Sequence, residues 1–377
     1  MEIVLGILAI LLCCVIIWRA SDGFEAASEY IGRNLTDGVR GATINAIGSS
    51  MPELFTTFWF LFIFHDKDGF AGGIGTTAGS AIFNGMIIPA VVILAVIGYG
   101  LAKRVNVSKK VIWRDGLSLI LAEIVLIFLI KGTSLEWWHG LILMAVYGIY
   151  VVVMFSTMSA GGSDDDDEEE EDDDDDDGKD KSILMSLLTL DLEPVFVRGA
   201  MNSGNAWTLL IVSMLVIGGA TALLVNACES VAHGMGIHTY FVAVILASAA
   251  TSVPDTIISY RDAMDGDYDD AVANALGSNI FDVCFALGLP LFIYTIMYGP
   301  ITMSPDTVEN VTELRVILLV STIGAFLIYV FGQGMGRVKA FLLLAIYVLF
   351  TVFIASKAYG AEWAVEFGHF MRGLVPN

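Results

Sequence analysis

The stretch GSSMPELFTT, residues 48–57, recurs in altered form as ATSVPDTIIS, residues 250–259. Each stretch places a proline directly before a carboxylate, Glu53 in the first and Asp255 in the second. A proline removes a backbone hydrogen bond, and a buried carboxylate is costly unless it is paired or binds an ion. In a chain that is 56% hydrophobic, this combination marks both stretches as candidate functional sites.

A second pair of matching stretches follows the two prolines. GSAIFN occupies residues 79–84, and GSNIFD occupies residues 277–282. The offset between the copies is 254 − 52 = 202 at the prolines and 277 − 79 = 198 at the second pair. Two motifs in the same order at nearly the same separation predict an internal repeat.

The composition predicts an all-α, polytopic membrane protein. The chain has 377 residues and a mean hydropathy of +0.73. A helix needs about 20 apolar residues to cross a bilayer. Ten segments meet this need, at about 3–18, 39–64, 70–98, 111–130, 138–158, 206–227, 240–260, 271–297, 316–331 and 340–359. Because five is an odd number of crossings, ten transmembrane helices in two groups of five predict two inverted repeats.

These spans divide the chain into three parts. Residues 1–158 form the first five-helix repeat, with its motif region at about 39–98, and residues 206–377 form the second, with its motif region at about 240–297. The connection, 159–205, contains 14 consecutive acidic residues at 164–177. Such a run cannot bury apolar surface, so we expect it to be disordered. It would serve as a solvated linker or as a weak calcium buffer.

The distribution of Lys and Arg predicts the orientation. With the N-terminus outside, 14 of the 19 basic residues fall on the inner side and 19 − 14 = 5 on the outer side. Both termini would then lie outside and the acidic connection in the cytoplasm, in a prokaryotic plasma (inner) membrane. The first apolar segment carries Glu2 before it and Arg19 after it, so we expect a retained helix rather than a cleaved signal peptide. No basic patch supports a nucleic-acid partner.

The four motif stretches bring together oxygen atoms, without Cys or His. The carboxylates, the amide and the hydroxyls come from Glu53, Asp255, Asp282, Asn84, Ser49, Ser50, Ser80, Thr251, Ser252 and Ser278. We also expect the proline breaks to free backbone carbonyls near Ala46, Ser49, Ser248 and Thr251. An all-oxygen set suits hard cations such as Ca²⁺, Na⁺ and K⁺ and disfavours Zn²⁺ or Cu⁺.

At these residues the sequence resembles the cation/calcium exchanger superfamily, in which two inverted repeats each carry a G-[ST]-S-x-P-[ED] segment followed by G-S-x-x-x-[ND]. The resemblance implies a sodium/calcium antiporter with ion sites at its centre, ligated by the ten residues just given. Ser49 and Thr251 would contribute hydroxyl or carbonyl oxygens. The chain departs from the pattern at Ala250, where Gly is usual, and at Asp255, where Glu is usual. The pairing of Glu53 with Asp255, together with Asp282, looks like the potassium-dependent branch.

Several alternatives stay open at this point. Within transporters, K⁺ could be co-transported, or H⁺ could replace Na⁺ as the driving ion. A cation channel with a carboxylate ring is a different class. An intramembrane aspartyl protease using Asp255 and Asp282 is another, although its G-x-G-D pattern is missing. We expect no enzyme activity and no bound cofactor, with the transported ions as the substrates. Monomer and homodimer are both compatible with the sequence.

Four other acids lie outside the repeated motifs. We expect Glu123 and Glu229 to be structural. Asp22 and Glu25 follow the first span and could line a cytoplasmic entrance.

Overall fold

The computed structural model describes residues 2–33, 46–64, 69–159, 186, 189–197, 199–332 and 334–374. The acidic run at 164–177 lies outside these residues, so its expected disorder stays a prediction. The expected start of the second span, at 39–45, also lies outside them.

The first half of the chain is helical and carries one short strand. Its helices are α1 (Glu2–Ile31), α2 (Ala46–Ser49), α3 (Met51–Phe64), α4 (Gly69–Gly98), α5 (Lys109–Leu129) and α6 (Trp137–Ser159). Strand β1 (Ser134–Leu135) lies between α5 and α6. Ser108 caps α5, because its hydroxyl accepts a hydrogen bond from the backbone N–H of Val111 at 3.3 Å.

The second half is also helical, with more interruptions. Its helices are α7 (Glu193–Phe196), α8 (Ser203–Met235), α9 (Thr239–Val242), α10 (Ser248–Thr251), α11 (Val253–Asp265), α12 (Tyr268–Phe281), α13 (Leu287–Tyr298), α14 (Pro305–Val330), α15 (Arg337–Ala358) and α16 (Glu362–Arg372). Two π-helical turns, Ala243–Ala247 and Asp282–Ala286, join α9 to α10 and α12 to α13. Strand β2 (Ile301–Thr302) lies between α13 and α14.

Nine helices in the described part of the chain are long and apolar enough to cross a membrane. They are Glu2–Ile31, Ala46–Ile63, Phe70–Gly98, Trp137–Ser156, Ser203–Met235, Thr239–Asp265, Tyr268–Tyr298, Pro305–Val330 and Arg337–Ala358. These helices confirm the all-α, polytopic prediction. The remaining predicted span, 111–130, is the continuous helix α5, but it carries Arg114, Asp115 and Glu123. A total of ten crossings therefore stays a prediction.

Long helices of each half of the chain pack on helices of the other half. Helix α1 lies along α8, where Ile10, Cys13 and Ile17 pack with Leu224 and Cys228 in one apolar cluster. Helix α6, the last of the first half, packs on α13, and α15, the last long helix of the second half, packs on α4. The motif helices therefore lie inside the bundle.

Two short strand pairings, which the sequence did not predict, tie the halves together. Strands β1 and β2 pair antiparallel. At the other end of α5, Val105 and Met335 form an isolated antiparallel bridge, with N–H···O distances of 3.0 and 2.7 Å. Each pairing joins a connection of the first half to a connection of the second.

Candidate cation site

Both proline stretches interrupt a helix at the corresponding serine. Helix α2 ends at Ser49 and α3 begins at Met51, so Ser50 lies at the first break; Ser252 lies at the second, between α10 and α11. Each proline follows its break by two residues and lacks the N–H that a helix would direct to the carbonyl four residues earlier. Those carbonyls belong to Gly48 and Ala250.

The expectation for the freed carbonyls is partly wrong. The carbonyl of Ala46 accepts hydrogen bonds from the backbone N–H of Ser50 at 3.3 Å and from the Ser49 hydroxyl at 3.3 Å. The carbonyl of Ser248 accepts from the N–H of Ser252 at 3.1 Å and from the Thr251 hydroxyl at 3.2 Å. Both carbonyls are therefore used within the helix breaks.

All ten predicted site residues are buried, with at most 1% of each residue exposed. Residues from α2, α3, α4, α10, α11 and α12, from the π-helical turn Asp282–Ala286 and from the two breaks meet here. Hydrogen bonds within 3.5 Å join all of them except Ser50 and Thr251. The Ser50 hydroxyl nevertheless lies beside the Asp282 carboxylate, and the Thr251 hydroxyl lies beside that of Glu53. The structure thus brings together residues that are about 200 positions apart in sequence.

Ser80 is the hub of this network. Its hydroxyl lies 3.0 Å from Oε1 of Glu53, 3.2 Å from Oδ2 of Asp282 and 2.8 Å from the hydroxyl of Ser252. The amide Nδ2 of Asn84 lies 3.5 Å from the same hydroxyl. Ser80 therefore bridges two carboxylates, one from each half of the chain.

Asp255 is held by donors on both of its oxygens. The Asn84 amide donates to Oδ2 at 2.9 Å, and the Ser278 hydroxyl donates to Oδ1 at 2.7 Å. The Ser278 hydroxyl also lies 3.5 Å from that of Ser49. Asp255 is consequently fixed in position by neutral groups.

Four buried oxygens of the site have no hydrogen-bond partner among the described residues. They are Oε2 of Glu53, Oδ1 of Asp282, Oδ1 of Asn84 and Oγ of Ser50. Unpaired buried carboxylate oxygens are expensive, and no Lys or Arg of the described chain forms an ion pair with them. Each of the four is an oxygen of a kind that ligates hard cations.

The carboxylates alone do not make a conventional metal centre. Within the described residues, no group of three or more His, Cys, Asp or Glu side chains could hold a metal ion. Hydroxyl and amide groups separate the acids, as the Ser80 bridge shows. Any ion bound here would therefore be ligated by a mixture of carboxylate, hydroxyl and amide oxygens.

The acids outside the motifs fall in different places. Glu229 is exposed, whereas Glu123 is fully buried and accepts a hydrogen bond from the Thr322 hydroxyl at 2.7 Å. Asp22 and Glu25 form ion pairs with Arg261 at 3.1 and 3.8 Å. None of the four contacts the network around Ser80.

One contact near the site was missed by the sequence analysis. The Asn279 amide donates to the backbone carbonyl of Ala81 at 2.9 Å. Asn279 and Ala81 occupy the same place in GSNIFD and GSAIFN, so the contact joins corresponding positions of the two motifs. The signal was present in the sequence as the polar residue that replaces Ala in the second copy.

This fold and this burial of charged groups define a polytopic membrane protein with an oxygen-lined polar centre. The chain belongs to the family described as sodium/calcium exchanger protein, whose model matches residues 5–156 and 205–355. The acidic run lies between the two matched segments. Members of this family are ion exchangers, which confirms the expectation that the chain is not an enzyme.

Related proteins match over shorter regions. Sodium/potassium/calcium exchanger 4 of Mus musculus is 36% identical over 126 residues, which is 33% of this chain and 19% of that protein. The inner membrane protein YrbG of Escherichia coli is 32% identical over 157 residues, 42% of this chain and 46% of that one. The matched region thus spans about a fifth of the mammalian exchanger and less than half of YrbG.

Solved structures of exchangers share the fold. The sodium-calcium exchanger NCX_Mj gives a TM-score of 0.55 at 20% identity and covers 92% of this chain and 97% of its own. The H⁺/Ca²⁺ exchanger CAX gives 0.59 at 15% identity, covering 99% and 92%.

Proposed function

We propose that this protein is a secondary-active antiporter that exchanges Ca²⁺ for Na⁺ at the buried site around Ser80. One observation carries the proposal: Glu53 and Asp282 share the Ser80 hydroxyl, and each keeps an oxygen without a partner. Two neighbouring buried carboxylates without a basic partner are stabilised by a bound cation, or by a proton where H⁺ is the coupling ion. Membership of the exchanger family supports the same activity.

The ligand chemistry accounts for competition between the two ions. Ca²⁺ accepts six to eight oxygen ligands, and carboxylates, amides and hydroxyls are all present in the site. Na⁺ uses the same oxygens with half the charge, so several Na⁺ ions and one Ca²⁺ compete for the same carboxylates. The ten buried residues of the motifs are the proposed ligands, and the ions are the transported substrates rather than resident cofactors.

We infer ten transmembrane helices arranged as two inverted repeats, 1–158 and 206–377, joined by the connection 159–205. Both halves break a helix at corresponding serines, Ser50 and Ser252, which supports the repeat. The packing of α6 on α13 and of α15 on α4 supports the repeat as well. Movement of one repeat against the other would expose the site alternately to each side of the membrane.

The orientation and location are also proposals. We place both termini outside and the acidic connection in the cytoplasm of a cell bounded by a plasma (inner) membrane. The 14-to-5 distribution of basic residues supports this orientation.

K⁺-dependent exchange is the second candidate. Several matched relatives are named sodium/potassium/calcium exchangers, and this chain carries Glu53, Asp255 and Asp282 in the site. H⁺-coupled exchange is a weaker candidate, because the likeness to CAX concerns the fold alone.

Uptake of ⁴⁵Ca²⁺ into Na⁺-loaded proteoliposomes, with K⁺ present or absent outside, tests the proposal. We expect uptake that requires the Na⁺ gradient, and enhancement by external K⁺ would select the second candidate. The exposed-carboxylate variant Glu229→Gln serves as the control and should match the wild type. Uptake that is indifferent to Na⁺ would contradict Na⁺ coupling, and uptake driven instead by a pH gradient would select the H⁺-coupled form.

A further inference from the structure

Four basic side chains converge on one pocket at an end of the helix bundle. The pocket has a volume of about 650 Å³, and its lining includes Lys103, Arg104, Arg337 and Lys339. No acidic residue of the described chain lines it. A cluster of like charges in one concavity raises the local concentration of anions.

The walls of the pocket are held together before any ligand arrives. One wall is the connection after α4, the other is the connection before α15, and the bridge between Val105 and Met335 joins them. Both bridge residues are buried. The ammonium of Lys339 also donates to the carbonyl of Tyr329 at 3.3 Å. The basic residues are therefore carried by backbone segments that hydrogen bonds hold in place.

The start of α15 adds to the positive potential. This helix has 22 residues, and its N-cap, Gly336, has no side chain to bond the first free N–H groups. Gly336 lines the pocket together with Arg337, the first residue of the helix. The N-terminus of a helix carries a partial positive charge and favours anions.

The pocket lies at the level of a membrane surface. Three candidate spans end beside it: Phe70–Gly98 and Pro305–Val330 finish here, and Arg337–Ala358 begins here. Val338, which lines the pocket, is 74% exposed. Two further exposed apolar residues lie close in sequence to lining residues: Leu101, 53% exposed, and Phe331, 69% exposed. A ligand with a charged head and an apolar tail would contact both kinds of surface.

We propose that this pocket binds the phosphodiester headgroup of an anionic phospholipid. Basic pockets between membrane-spanning helices recognise such headgroups by charge. The exposed apolar rim favours a lipid over a free phosphate compound, because a small phosphate has no apolar part that could contact the rim. This site is separate from the buried carboxylates and does not depend on which ions are exchanged.

The test measures lipid binding to the full-length protein in detergent by native mass spectrometry and by thermal unfolding. The probes are phosphatidylglycerol, zwitterionic phosphatidylcholine and sodium phosphate. The variant Lys103→Gln/Arg337→Gln removes two pocket charges without breaking the Val105–Met335 bridge or the Lys339 bond. The control Lys109→Gln/Lys110→Gln removes two charges from the nearby start of α5, outside this pocket.

We expect phosphatidylglycerol, but not phosphatidylcholine, to bind and to raise the unfolding temperature. The pocket variant should bind phosphatidylglycerol about 30-fold more weakly, whereas the control should change little. Equal loss in both variants would overturn the proposal, since binding would then follow net charge. Displacement of the lipid by millimolar phosphate would also overturn it, because the site would then take free phosphate. Unfolding in phosphatidylcholine checks that both variants are folded.

Discussion

Asp255 and Glu53 occupy corresponding places in the two proline motifs, but their surroundings differ. Asp255 receives a hydrogen bond on each oxygen, from Asn84 and from Ser278. Glu53 receives one within 3.5 Å, from Ser80, and the Thr251 hydroxyl lies nearby. Each oxygen of Asp255 therefore accepts a hydrogen bond, whereas no hydrogen bond within 3.5 Å reaches Oε2 of Glu53.

The hydrogen bonding of Asp255 and Glu53 differs because GSAIFN and GSNIFD end in different residues. GSAIFN ends in Asn84, whose amide faces Asp255, whereas GSNIFD ends in Asp282, which shares Ser80 with Glu53. An amide can donate to a neighbouring carboxylate, but a second carboxylate cannot. Under the proposed function, one half of the site is closed by the protein itself, and the other, open half binds the cation.

Removing the charge of Glu53 should have the largest effect on transport. In Glu53→Gln the side-chain oxygen can still accept from Ser80, so the fold should persist, but the open half loses one of its two charges. We expect Ca²⁺ flux to fall by about 100-fold or more, since removing one partner of a buried charge pair costs about 3–5 kcal/mol. The measurement is ⁴⁵Ca²⁺ uptake into proteoliposomes, with Glu229→Gln as the control; normal flux in Glu53→Gln would refute the site.

Replacing Asp282 by Asn, the residue that ends the first motif, should raise the stability of the ion-free protein and lower Ca²⁺ transport. Asp282→Asn gives Glu53 an amide neighbour, as Asp255 already has, and relieves the repulsion between two buried acids. We expect the ion-free protein to become more stable by about 1 kcal/mol or more and Ca²⁺ flux to fall at least about tenfold.

The converse variant, Asn84→Asp, sharpens this prediction. It places a carboxylate beside Asp255 in the closed half, so the ion-free protein should be less stable and Ca²⁺ should raise its unfolding temperature more than in the wild type. Thermal unfolding with and without Ca²⁺ measures both variants. If Asp282→Asn and Asn84→Asp both changed the stability of the ion-free protein in the same direction, the difference between the open and closed halves would be contradicted.

The corresponding glycines Gly79 and Gly277 should also behave differently. A Cβ at Gly79 would overlap the backbone carbonyl of Val244, whereas a Cβ at Gly277 would meet only the Tyr150 hydroxyl at 3.8 Å and the Ala46 side chain at 3.9 Å. We expect Gly79→Ala to cost about 1–3 kcal/mol of stability and Gly277→Ala to cost little. Denaturation in detergent compares the two, and equal losses would show that the packing around α4 is misassigned.

The two motif serines should give the smallest difference. Ser80 contacts both carboxylates of the open half, whereas Ser278 contacts Asp255, which keeps its bond from Asn84. We expect Ser80→Ala to weaken Ca²⁺ binding about tenfold and Ser278→Ala to weaken it less, because a hydrogen bond to a charged group is worth about 1.5–3 kcal/mol. Titration calorimetry measures both, with the exposed Ser230→Ala as the control. A larger effect at Ser278 would reverse the assignment of the open half.

The sequence predicted the broad plan because the plan rests on local signals. Apolar length marks the spans, and the duplicated prolines and acids mark the residues that meet in the centre. Family membership and the nine long apolar helices of the described chain confirm the all-α, polytopic part of that plan.

The sequence did not predict how the oxygens are shared, because that depends on how four separate segments cross. The use of the Ala46 and Ser248 carbonyls within their own turns follows from local geometry at Ser50 and Ser252. The close approach at Gly79 likewise depends on the path of the π-helical turn Ala243–Ala247. The sequence similarity relates the motifs, but only the fold shows that Asn84 faces Asp255.

Equilibrium binding of ⁴⁵Ca²⁺ to the purified protein, titrated against Na⁺, tests the open half most directly. We predict that Na⁺ displaces Ca²⁺ competitively in the wild type and that Glu53→Gln loses Ca²⁺ binding. Ca²⁺ binding that ignores Na⁺, or that persists undiminished in Glu53→Gln, would contradict the account.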